Sequence, residues 1–105
     1  MAQTIQAGNA TLSDAATLTI TTGDTAQALF AADEARVYLI IQNLHATSNL
    51  WIDFEGVTAV KTQPSLQIGP GITLIFESSF CPITAISIIG PTSTQAFNAK
   101  QGLLS

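Results

Sequence analysis

The sequence predicts an all-β domain: an antiparallel β-sandwich of about eight short strands joined in jelly-roll or Greek-key fashion. Three observations carry that expectation. Short apolar runs recur between Gly, Pro, Asn and Ser at the spacing usual for sandwiches. Several of them, such as "TLTITT" and "NLWIDF", alternate apolar with polar residues, the period of a half-buried strand. No segment holds a helical period for long. With 105 residues, 47% hydrophobic and 10% charged, the chain has enough apolar content for one well-filled core.

Residues 1–16 are rich in Ala, Gln, Thr and Asn around an isolated Ile5 and show no sustained period. They are expected to form an N-terminal arm ahead of a single sandwich domain at 17–105. "TLTITT" at 17–22 reads as the first strand, ended by Gly23 and Asp24. "TAQALFAADEAR" contains helix formers, but its apolar stripe is short; a strand over 26–31 and a tight connection over 32–35 fit better. In "RVYLIIQNL" at 36–44, Val37, Leu39 and Ile41 oppose Tyr38, Ile40 and Leu44 in parity. A central strand covered on both faces has that pattern. One face meets the opposite sheet, and the other has to be covered by the arm or by another chain.

"HATS" at 45–48 is a polar turn, expected to join "NLWIDF" at 49–54 to the preceding strand as a hairpin. Gly56 opens an irregular stretch that runs to Pro64. Beyond it, "SLQI" at 65–68 is a short strand, "GPG" at 69–71 a forced turn, and "ITLIFE" at 72–77 a further strand. "ITAISIIG" at 83–90 stops at Gly90 and Pro91, and "QAFNA" at 95–99 is a weak terminal strand.

The chemistry-bearing residues are few. Net charge is −4, with Arg36, Lys61 and Lys100 the only cations, so nucleic acid and anionic membranes are disfavoured as partners. His45 falls in a turn, and no serine sits in a nucleophile elbow. Cys81 lies in the apolar context "SSFCPITAI" and reads as a small buried hydrophobe. Asp53 with Glu55, and Asp33 with Glu34, lack the oxygen density of a calcium loop and read as solvated edges or turns. "GPGITL" has no following Lys for a phosphate loop. The expectation is a protein without catalytic residues, metal or cofactor. No run approaches a membrane span, and the first residues lack a basic and an apolar signal region, which suggests synthesis in a cytoplasm.

Apolar surface is what remains. If Leu50, Ile52, Phe54, Ile72, Leu74 and Phe76 fill the core, then Trp51, Ile75 and Ile89 face outward. Together with Ile5 of the arm they are the candidate interface residues, Trp being an enriched anchor. Trp51 beside Asn49 and Asp53 could also stack on a sugar ring, so a carbohydrate- or receptor-binding module is the alternative.

The blocks "RVYLIIQNL", "LWIDFEG", "LQIGPGITLIFE" and "AISIIG", in that order over about 36–90, resemble small virion proteins of tailed bacteriophages. The resemblance implies a sandwich that forms symmetric oligomers, a trimer by preference, on the particle. It implies a capsid decoration or cement protein made in the host cytoplasm, bound on the capsid surface to the major capsid protein. By position it implies that Arg36, Gln42 and Asn43 brace the hairpin, with Asn43 serving the turn. It assigns no catalytic residue.

Overall fold

The structure is a computed structural model that describes residues 10–77 and 79–104. Eight strands make up its regular structure: β1 (Ala10–Asp14), β2 (Gln27–Phe30), β3 (Arg36–Asn43), β4 (Leu50–Asp53), β5 (Leu66–Ile68), β6 (Thr73–Phe76), β7 (Ile86–Ile89) and β8 (Phe97–Leu104). They form two four-stranded antiparallel sheets, ordered β1-β8-β3-β6 and β2-β7-β4-β5. This is the jelly-roll order. The chain behaves as one long antiparallel ribbon, β1 against β8, β2 against β7, β3 against β6 and β4 against β5, wound so that successive pairs fall in alternate sheets.

The core is the inward parity of each strand. Leu39 and Ile41 of β3, Leu50 and Ile52 of β4, Ile86 and Ile88 of β7, and Phe97 and Ala99 of β8 are all buried between the sheets. On β3 the opposite parity, Tyr38, Ile40 and Gln42, faces out and stays half-buried. A register shift between Arg36 and Tyr38 places an extra residue, Val37, against β8. That bulge turns Arg36 into the interior, where it is 2% exposed.

Several sequence expectations change. The 17–22 segment is a corner crossing from one sheet to the other, with only the isolated Thr19–Ala96 bridge. Its alternation reflects Ile20 alone, a buried plug held by Ile20 N–H to Gln95 O (2.9 Å) and Thr94 N–H to Ile20 O (2.7 Å). Residues 10–14, expected in the arm, are strand β1 on β8, and Ala15 is in the core, so the sandwich begins by Ala10. The terminal strand runs to Leu104 between β1 and β3, a central place that its weak alternation did not suggest.

The expected hairpin between 36–44 and 49–54 is absent. β3 and β4 lie in different sheets, and residues 44–49 form a corner between them. Of all consecutive strands, β4 and β5 alone pair. A second connection has a covering role. Residues 56–65 fold over the outer face of the second sheet, where Ala59 is buried and donates its N–H to Ser87 Oγ (2.9 Å). Lys61 then reaches Asp24 in a surface ion pair that ties this strap to the far edge.

Candidate functional site

The polar residues with possible chemistry are absorbed into corners. His45 Nδ1 accepts the N–H groups of Thr47 (3.1 Å) and Ser48 (2.9 Å), so it caps a turn as its Nε2–H tautomer. Asp53 is buried rather than solvated. Its Oδ1 accepts Glu55 N–H (3.0 Å) and its Oδ2 lies 3.4 Å from Ser65 Oγ, while Glu55 is exposed. Asp33 Oδ1 accepts Ala35 N–H (2.9 Å) at the turn before β3. Among the described residues no group of three His, Cys, Asp or Glu could hold a metal ion.

Cys81 is half-buried against the core, and burial pushes its thiol pKa up, with the Arg36 charge opposing. Burial in turn lowers Arg36 from its usual value, against the pull of Cys81 and Asp33. A guanidinium remains charged throughout this range. Its acceptors come from three places: Nε–H to Gln101 Oε1 (2.9 Å), one terminal nitrogen to the carbonyls of Pro82 and Thr84 (both 2.9 Å), the other to Ala31 O (2.6 Å). The Phe30 ring lies under it at 5.7 Å.

Arg36 therefore works at the start of β3, away from the 44–49 corner that it was expected to brace. That corner is held by Asn43. Its Nδ2 donates to Ser48 O (2.8 Å) and Ile68 O (3.0 Å), and its Oδ1 accepts His45 N–H (3.0 Å). Gln42 faces out and accepts from Asn98 Nδ2 (3.0 Å) on β8. Gln95, missed in the sequence, joins the corner from below, donating to Ser48 O and Asn49 O.

The expected interface residues divide. Ile75 is 47% exposed on the outer face of the first sheet. Ile89 is buried, at 6% exposure, with Trp51 as its cross-strand neighbour. It offers no contact surface. Trp51 itself is half-buried, and because Asp53 is tied to Glu55 and Ser65, the sugar platform of Trp51, Asn49 and Asp53 is not assembled. Ile5 lies outside the described residues.

Apolar exposure is spread over several places among the described residues, and one part of it, Leu66, Ile72 and Phe80, lies on the flank where both sheets end. β5 and β6 are edge strands of opposite sheets, joined by the tight 69–72 turn, so their free edges lie side by side. Leu66 and Ile72 share the inward parity of their strands yet are 43% and 55% exposed, and Leu74 and Phe76 are only half-buried. The sandwich is open along this seam. At one end Phe54, Phe76 and Phe80 pack edge to face, with centroids 5.0 to 6.4 Å apart, and Phe80 is 60% exposed. Parity alone could not show this, since it assigns Ile72 to the core and says nothing of which strands lie at an edge.

A hollow beside β2 lined by Ala28, Val57 and Ile86 holds about 250 Å³, and one at the seam between Phe54, Pro64 and Leu66 about 140 Å³. Ligand pockets usually exceed roughly 300 Å³ and gather convergent polar groups. No family model matches the chain, and neither does any curated protein or solved structure.

Proposed function

We propose that this chain is a structural protein of a phage virion, a homo-oligomeric capsid decoration protein that clamps neighbouring capsid subunits, with a trimer as the expected form. The observation that carries the reading is the joint one of an open apolar seam on a jelly roll and chemistry-bearing side chains spent on holding corners together. The order and spacing of the strand blocks from 36 to 90, with their resemblance to small virion proteins, support it. Such a protein acts by mass action. Binding the assembled shell and not its free subunits stabilises the shell by the difference in affinity.

Cryo-electron microscopy of the particles whose genome encodes the chain tests this. Density of the jelly roll straddling capsid subunits is expected, and heads stripped of the chain should break at lower temperature. Heads that lack it at every stage of maturation would overturn the reading.

A further inference from the structure

We propose that the open β5–β6 flank is the surface through which this chain contacts a second copy of itself; the inference rests on the homo-oligomer of the preceding reading and gives it a place. The first argument is an asymmetry between the two flanks. On the β1–β2 flank the β2 edge is guarded. β2 carries a bulge between Ala28 and Phe30, Gln27 bonds back to Thr21 N–H and Thr19 O, and Asp14 at the end of β1 is paired with Lys100. Bulges and charges of this kind block strand addition. On the other flank, "LQI" and "TLIF" contain no charge, no proline and no bulge.

The second argument is area. Leu66, Ile72, Ile75 and Phe80 are 43%, 55%, 47% and 60% exposed. Large side chains present on the order of 150–250 Å² when free, so these four offer roughly 350 Å². Half-buried Leu74 and Phe76 and two strand edges add to that. A specific interface needs about 500 Å² from each partner, and a patch of this size, comparable to the largest on a typical monomer, is often a functional one.

The third argument selects the occupant. The rim of the seam bears Glu55 and Glu77 and none of the chain's cations. Lys61 and Lys100 are paired with Asp24 and Asp14, and Arg36 is buried. A second copy brings the same uncharged edges and apolar side chains, which is what symmetric assembly requires. It also brings the same carboxylates to the rim, so added salt should tighten the contact by screening. A basic partner would instead loosen with salt.

Sedimentation equilibrium of the full chain from micromolar to near-millimolar concentration, at low and high sodium chloride, decides the matter. Circular dichroism melts run beside it confirm folding. The wild type should form a defined oligomer whose dissociation constant falls with salt. Folded Ile72→Glu and Phe80→Ser chains should need at least about 100-fold more protein to associate, as loss of a central apolar anchor does. Leu12→Glu, on the outer face near the guarded flank, should keep the wild-type mass. A monomeric wild type, folded seam variants of wild-type mass, association weakened by salt, or dissociation by Leu12→Glu would each overturn the proposal. Attachment to heads is scored separately. An oligomer that assembles through the seam but never binds heads removes the decoration reading and leaves the self-contact standing.

Discussion

Arg36 gathers acceptors from the β2–β3 turn, the 81–84 segment and β8, and no other side chain in the chain could replace its geometry. Lysine keeps the charge but places three donors on one atom, too compact to reach four acceptors spread around a plane. Arg36→Lys should lower unfolding free energy by about 3 kcal/mol in urea titration, the scale for breaking a buried charged network. Thr94 offers the reverse case. Its φ of 65° puts a β-branched residue in the left-handed region, and Thr94→Gly should raise stability by up to about 1 kcal/mol once glycine's entropy is deducted. A thermal melt checks it. For Cys81, burial raises the folded pKa above the unfolded one. The unfolded thiol ionises first, so its contribution is intact below the unfolded pKa of roughly 8.5 and is lost as pH climbs through the folded value. Alkylation of native Cys81 at neutral pH should accordingly be slower than in urea.

The existence of most strands was legible because alternation and turn residues are local signals. Residues 26–31, 49–54, 65–68 and 72–77 carry β2, β4, β5 and β6 within a residue or two of their observed ends. The failures have physical causes. "TLTITT" alternates but crosses between sheets, where backbone bonding depends on the 94–97 segment and not on its own side chains. β1 was missed because the whole of "ATLSD" is exposed apart from half-buried Ala10, so neither parity is apolar, and the strand exists by pairing with β8. The site was the least legible part, since Ile72 and Leu66 become a surface only when their strands turn out to be edges. Removing residues 2–14 takes away β1 and bares β8. That deletion should lower the melting temperature markedly, whereas loss of an arm separate from the sandwich would leave it unchanged. A smaller test concerns the strap. Ser65→Ala leaves Val60 N–H and Asp53 Oδ2 each short of a partner and should cost about 1–2 kcal/mol in urea titration.

At the scale of the whole molecule, a ribbon wound into a jelly roll makes pairing almost entirely non-local, which is why strands could be placed in sequence while their neighbours could not. β1 lies beside β8 and β2 beside β7, and the tightest sequence neighbours, β5 and β6, lie in different sheets and do not pair. The first sheet alternates between the two ends of the chain, β1 and β3 from before the Gly69–Gly71 turn, β8 and β6 from after it. Cutting there separates the chain into a part with five strands and a part with three. In the first, β4–β5 is the single pairing that survives, and an isolated two-stranded ribbon is marginal in water. In the second, no strand has a partner, because β6, β7 and β8 each pair only with strands of the first part. Fragments 1–69 and 70–105 should therefore each give the circular dichroism of an unfolded chain, and mixing them should restore sheet signal slowly, in the order of seconds or longer, since long-range pairing must precede any gain. Stable sheet in either fragment alone would mean that the strands can satisfy their edges in some other arrangement, and the interleaved order would then be one outcome of the sequence among several.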